Sequence, residues 1–179
     1  MEIYEPAEDS YLLSSILEKV LKNLGKKIKI LDMGSGSGIQ AETCKNLGFN
    51  DILTVDINQD SVKNLRKKGF KAINSNLFSK INKNKKFDVI IFNPPYLPEN
   101  RFDKNLDVSG GKEGYELIIK FLRQARYYLN KKGFILLLFS SVSKPKIIKS
   151  KAKEYGFKLI LLKKQKIFFE ELYIYKLYL

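Results

Sequence analysis

Short apolar runs alternate along the chain with stretches whose apolar positions recur every three or four residues. From Pro6 to Leu24, residues Leu12, Leu13, Ile16, Leu17, Val20, Leu21 and Leu24 fall on one side of a helix. Pro6, Glu8 and Asp9 suit its first turn, and Gly25 suits its end. Lys27 to Met33 predicts a strand, followed by a glycine-rich turn and a helix from about Ile39 to Leu47. Ile52 to Ile57 is a second strand, with a helix after Asn58. Shorter strands are predicted at Lys71 to Asn74 and at Phe87 to Phe92. Glu113 to Asn130 reads as a long helix, Phe134 to Phe139 as a fully apolar strand, and Pro145 to Tyr155 as another helix. Two β-rich runs follow, Lys158 to Phe168 and Leu172 to Leu179.

Strands that alternate with helices fold as a parallel sheet covered on both faces. The link Phe169-Glu170-Glu171 is too short for a parallel crossover, so the last two strands form an antiparallel hairpin. The expected architecture is α/β: a doubly wound, seven-stranded, mostly parallel sheet with an antiparallel C-terminal hairpin. No repeat or linker interrupts it, and residues 1–179 are read as a single domain.

Composition narrows the chemistry. The 179 residues contain no His, which excludes Ser-His-Asp and Cys-His nucleophiles and any imidazole base. A single cysteine, Cys44, permits no internal disulfide and no Cys-rich zinc cluster; it reads as a small buried apolar residue in an intracellular chain. The acidic start and the shortness of the Phe134–Phe139 run speak against a signal peptide or a membrane span, and a cytoplasmic location is expected. The net charge of +14 invites a nucleic-acid partner. Only four of the 33 basic residues are Arg (Arg66, Arg101, Arg123 and Arg126), and Arg supplies the bidentate contacts to phosphate and base. A Lys surplus spread over the whole chain reads first as a solvated surface.

In doubly wound sheets, ligands bind beyond the carboxyl ends of the strands, where strand order reverses. Three such ends are chemically unusual. The first is Asp32-Met33-Gly34-Ser35-Gly36-Ser37-Gly38, whose alternate glycines allow a sharp turn and close approach of a ligand to the backbone. The second is Val55-Asp56-Ile57-Asn58, with an acid placed to accept from ribose hydroxyls. An acid at Asp32 repels a pyrophosphate and suits an ammonium group. A ligand with a ribose, an ammonium and no phosphate is S-adenosylmethionine. The third end is Asn93-Pro94-Pro95-Tyr96. Two prolines remove two N–H donors and leave acceptors, the Asn93 side-chain oxygen among them, facing a planar NH2 group with a ring beside it.

With these residues in place, the chain resembles class I S-adenosylmethionine-dependent methyltransferases of the NPPY subgroup, which methylate amino nitrogens. The segment Tyr4-Glu5-Pro6-Ala7-Glu8-Asp9-Ser10 is similar to the short branch of HemK-like protein methyltransferases, as is Gly110-Gly111-Lys112-Glu113-Gly114. That branch modifies the glutamine of the GGQ motif in class 1 peptide release factors. The resemblance implies that Ser10 lies near the methionine end of the cofactor and that Asp32 faces its ammonium. Gly34, Gly36 and Gly38 shape the turn, Asp56 holds the ribose, and Ile57, Asn76 and Leu77 complete the cofactor site. It implies that Asn93 and Pro94 bind the target amide with Tyr96 packed on it, Asn93 also bordering the cofactor. Asn76 departs from the family's usual Asp and leaves an amide oxygen for the adenine contact. A release factor as substrate and a small zinc-binding activator protein as partner are also implied, with proximity to RNA or the ribosome suggested by the charge. Metal ligands are not expected.

Two other readings stay open from the residues alone. NPPY serves adenine N6 or cytosine N4 equally well, and the positive charge favours such a substrate. A catalytically idle RNA-binding or scaffold subunit is the third, and the intact motifs argue against it. Leu97 to Ser109, polar and without periodicity, is expected to form a substrate loop.

Overall fold

A computed structural model of the chain describes residues 5–97 and 113–179. Its strands are β1 (Ile30–Met33), β2 (Ile52–Asp56), β3 (Lys71–Asn74), β4 (Phe87–Phe92), β5 (Leu129–Ser140), β6 (Lys158–Ile167) and β7 (Glu170–Tyr178). Its helices are α1 (Glu8–Leu21), α2 (Ile39–Asn46), α3 (Gln59–Lys67), α4 (Glu116–Ala125) and α5 (Pro145–Glu154). The strands form one sheet in the order β3-β2-β1-β4-β5-β7-β6. Pairings among β1 to β5 are parallel, and β7 runs antiparallel to both β5 and β6. The α/β architecture with its antiparallel hairpin therefore stands as expected.

The central strands are apolar at nearly every position because both faces are covered. Leu31, Met33, Ile90, Phe92, Ile135 and Leu137 point to one face, where Ile118, Phe121 and Leu122 of α4 and Ile148 of α5 meet them. Ile30, Val89, Ile91, Leu136 and Leu138 point to the other, against Leu13 and Leu17 of α1, Cys44 of α2 and Leu65 of α3. Alternate residues of one strand thus serve two separate cores. Cys44 is fully buried, and burial pushes its thiol pKa up, in keeping with an apolar packing role.

Element ends depart from the sequence pattern where long-range pairing intervenes. β1 begins at Ile30, not Lys27; the Lys29 N–H donates to the Asp88 carboxylate (2.8 Å). The helix predicted to reach Asn130 stops at Ala125, because Leu129 is drawn into register with Phe87 and the Tyr128 carbonyl accepts the Phe87 N–H (2.8 Å). β5 is correspondingly longer at its start than Phe134. Gly133 fits there because a Cβ would lie 2.9 Å from the carbonyl oxygens of both Phe87 and Asp88. The final hairpin turns at Phe168-Phe169, with Ile167 paired to Glu170, one residue earlier than the link read from sequence.

The chain runs from β1 outward to β3, then crosses back to β4 beside β1. That reversal fixes where a ligand can sit. Met33 is in register with Val55 on one side and Phe92 on the other, so Gly34, Asp56 and Asn93 leave the sheet at one level.

Candidate active site

A cavity of about 480 Å³ opens over this reversal. It is lined by Ser10, Asp32, Gly34, Gly36, Asp56, Ile57, Asn76, Leu77, Asn93, Pro94 and Tyr96. These are the residues singled out from sequence, with one correction. Gly38 is not part of the lining. It caps α2 at φ +92°, a left-handed backbone that favours glycine, and a Cβ there would lie 2.7 Å from Leu65 Cδ2, so Gly38 shapes the turn into α2 without lining the cavity. Gly36 (φ +51°) is the position where the turn meets open space, and its N–H donates to Asp56 Oδ2 (2.7 Å). Asp56 Oδ1 accepts the Asn58 N–H (2.8 Å), so the acid at the end of β2 ties two turns together as well as facing the cavity.

Asp32 is 1% exposed. Burial, with the Asp56 charge adding to it, pushes its carboxyl pKa up to about 7. Among the described residues, two buried side-chain oxygens have no hydrogen-bond partner: Asp32 Oδ2 and Asn93 Oδ1. Native interiors rarely tolerate such groups, and both line the cavity. A carboxylate oxygen without a donor in a dry site is suited to a cation.

Asn93 is held from one side. Its Nδ2 donates to Asp9 Oδ2 (2.9 Å). A carboxylate only accepts, so Asp9 obliges Asn93 to present its NH2 to α1 and its oxygen to the cavity. Asp9 Oδ1 in turn accepts the Ser10 N–H (2.7 Å). Gln40 of α2 donates to the Ser10 carbonyl (2.9 Å) and accepts from Ser14 Oγ (3.1 Å), which clamps the first turn of α1 against the glycine-turn helix. Pro94 is buried and Tyr96 half-buried. The Tyr96 ring packs between the two cores while its carbonyl accepts from Ser143 Oγ (2.9 Å). Leu77 closes the far wall at φ +50°, a strained backbone for a branched apolar residue and a feature that clusters at ligand sites.

Sequence reasoning missed Asp9 and Gln40 as site residues. In the sequence Asp9 reads as a helix-start acid, yet it stands three and four residues before Leu12 and Leu13, on the apolar side of α1. An acid on that side was the available signal. Tyr4, Gly110, Gly111, Lys112 and the proposed substrate loop beyond Leu97 lie outside the described residues. Among the described residues no cluster of three or more His, Cys, Asp or Glu could hold a metal, and no helix is long and apolar enough to cross a membrane.

Strand order, glycine turn, second-strand acid and NPPY end together define a class I S-adenosylmethionine-dependent methyltransferase. The chain belongs to the methyltransferase small domain family, whose model matches residues 10–157. It is 40% identical to MJ0928 of Methanocaldococcus jannaschii, which carries a provisional protein N5-glutamine methyltransferase name, over 97% of this chain and 90% of that one. The release factor glutamine methyltransferase of Bacillus cereus is 28% identical over 72% of this chain, which spans about half (52%) of that longer protein. Among solved structures, Mtq2 of E. cuniculi superposes with a TM-score of 0.82 at 30% identity, covering 99% of both chains. Mtq2 was solved as a complex with Trm112 responsible for methylating the translation termination factor eRF1.

Proposed function

We propose that the chain, acting as one domain over residues 1–179, transfers a methyl group from S-adenosylmethionine to the side-chain amide nitrogen of a glutamine. The acceptor is the GGQ glutamine of a peptide chain release factor, and the co-product is S-adenosylhomocysteine. The observation that carries this reading is Asn93 Oδ1, buried, without a partner and turned into the cavity by Asp9. The relatives' names and the Mtq2 complex support the choice of substrate. The complex with Trm112 also supports a small activator partner. Zinc in that partner rests on the family resemblance, and proximity to RNA or the ribosome on the +14 charge.

The donor residues fit the cofactor. Asp32 Oδ2 would receive the ammonium, Asp56 the ribose hydroxyls, Ser10 the methionine end, and Ile57, Asn76 and Leu77 the adenine. When bound, the cofactor supplies an electrophilic methyl on a sulfonium. Asn93 Oδ1 and the Pro94 carbonyl accept the two N–H bonds of the target amide, and Tyr96 packs on its plane. An amide nitrogen is a poor nucleophile because its lone pair is delocalised into the carbonyl. Two fixed acceptors favour the partly pyramidal nitrogen of the transition state. Orientation in a closed site supplies up to ~7–11 kcal/mol of the barrier lowering. The methylated nitrogen is a strong acid until it loses a proton, so water suffices as acceptor and the chain's lack of histidine is no obstacle.

The test is transfer of label from methyl-labelled S-adenosylmethionine, with release factor, activator protein and bulk RNA in one reaction. Label in the release factor that vanishes when its GGQ glutamine is changed to alanine is the expected result. Label in RNA alone would overturn the substrate and leave the fold and cofactor in place.

A further inference from the structure

The hairpin between β6 and β7 turns on two consecutive phenylalanines. Phe168 is 85% exposed and Phe169 102% exposed, the most exposed large apolar side chains among the described residues. Folding gains nothing from them there. A two-residue hairpin turn with positive φ at its first position favours glycine, yet Phe168 occupies it at φ +23°. Residues that break a local rule without helping the fold are expected where the molecule binds something.

Their position says what. β6 runs in the same direction as β4 and β5, so the tip rises from the sheet end that carries the active site. Phe92 pairs with Leu137, which pairs with Tyr175. From Tyr175 to Glu170, at the base of the turn, is five residues along β7, or about 17 Å at the strand rise of ~3.4 Å. Laterally, β7 stands two strands from β4, about 10 Å. The aromatic tip therefore projects from the same end of the sheet as the cavity, about 20 Å from Asn93. It is also braced to the site: Ser140 Oγ donates to the Glu170 carboxylate, and the Glu171 N–H donates to Ser141 Oγ (3.0 Å). Two residues on, Ser143 Oγ donates to the Tyr96 carbonyl (2.9 Å).

We infer that Phe168 and Phe169 form a docking point for the folded body of the protein substrate whose amide enters at Asn93, seated in an apolar pocket of that substrate beside acidic groups. This rests on the proposed protein-glutamine reading. Lys163, Lys164 and Lys166 on β6 outnumber Glu170 and Glu171 of β7 at the base of the tip, which leaves that base net positive and suited to acidic groups. About 20 Å is beyond the reach of a short peptide, since four extended residues cover only about 14 Å. A folded domain spans it readily.

That distance sets the experiment. The double variant Phe168→Ser/Phe169→Ser is compared with the wild-type chain, each with its activator protein. Binding of a release factor carrying alanine for its GGQ glutamine is measured by calorimetry. Turnover is measured on the intact factor and on a nine-residue peptide with the glutamine at its centre. The tip predicts at least tenfold weaker binding and a tenfold higher KM for the intact factor. It also predicts twofold or less change in peptide turnover, in cofactor affinity and in capture of the activator, with binding largely restored in Phe168→Leu/Phe169→Leu. Equal release-factor affinity in wild type and the serine variant overturns the docking role alone. Loss of activator capture or of self-association assigns the tip to those partners and overturns it too. A wild-type chain that neither binds nor labels the release factor sinks the substrate reading and the tip with it.

Discussion

Asn93 and the Phe168-Phe169 turn are misplaced in opposite senses. One leaves a polar oxygen buried without a partner; the other holds two phenyl rings in water. Each costs the isolated fold something: burying an unsatisfied acceptor costs about 1–3 kcal/mol, and exposed aromatics forgo the gain from burial. Their settings differ instructively. Asn93 sits beside the two cores, held by a hydrogen bond to α1, whereas the tip is held only through the backs of its strands. The difference divides the labour: a rigid, dry site selects the reacting atoms, and a projecting, wet one recognises the surface around them.

The largest effect should come from Asn93→Ala. Turnover is expected to fall by about a thousandfold or more, the loss of an essential oriented acceptor, while cofactor affinity stays within a few-fold. Calorimetry showing lost cofactor binding in that variant would contradict this division. Asp9→Leu removes the acceptor that orients Asn93, and kcat should drop by about a hundredfold with cofactor affinity little changed. Asp9→Asn keeps one oxygen that can accept from Asn93 Nδ2 but adds an NH2 that can donate to Asn93 Oδ1, so it should recover only part of that loss.

Cofactor binding should carry a pH signature from Asp32. Its carboxyl, pushed up to about 7 in the fold, is mostly protonated below that pH and cannot pair with an ammonium. Affinity should therefore climb from pH 6 toward pH 8, until the ligand's own ammonium starts to lose its proton, and Asp32→Asn should bind weakly and lack that climb. Stability moves the other way. The folded state binds this proton more tightly than the unfolded chain, whose value is 3.8, so the group's contribution is complete below about pH 4 and is lost as pH rises through 7. The loss has an upper bound of about 4 kcal/mol at three pKa units. Melting of the ligand-free chain at pH 5.5 and 8, with and without S-adenosylmethionine, measures the part lost above pH 5.5, about half of that bound, and the cofactor should rescue the higher pH.

The two regions were unequally legible. The strands around Asn93 are buried on both faces, which writes them as continuous apolar runs, and the residues that interrupt those runs (Asp32, Asp56, Asn93) stand out in the sequence. What stayed hidden depends on distant partners. Asp9 reads as an ordinary first-turn acid until α1 is laid beside β4. The end of α4 at Ala125 is dictated by Phe87, some forty residues earlier, which recruits Leu129 to the sheet. In the sequence Phe168 and Phe169 read as strand and link, because apolar residues next to a β-rich run carry no mark of exposure. Only register shows that they lie past the last pair, Ile167 with Glu170.

The smallest predicted effect separates folding from recognition at the tip most directly. Phe168 holds a positive φ that costs a non-glycine residue about 1 kcal/mol or more. Phe168→Gly relieves that strain but gives the unfolded chain more freedom, so the net gain in unfolding free energy should be about 0.5 kcal/mol. Denaturant unfolding of the single variant tests it. A gain in stability together with weaker binding of the release factor would mean that phenylalanine is kept at this turn against the preference of the fold. A clear loss of stability would mean that the ring packs in a way that its 85% exposure does not reveal, and the contrast with Asn93 would narrow to one of degree.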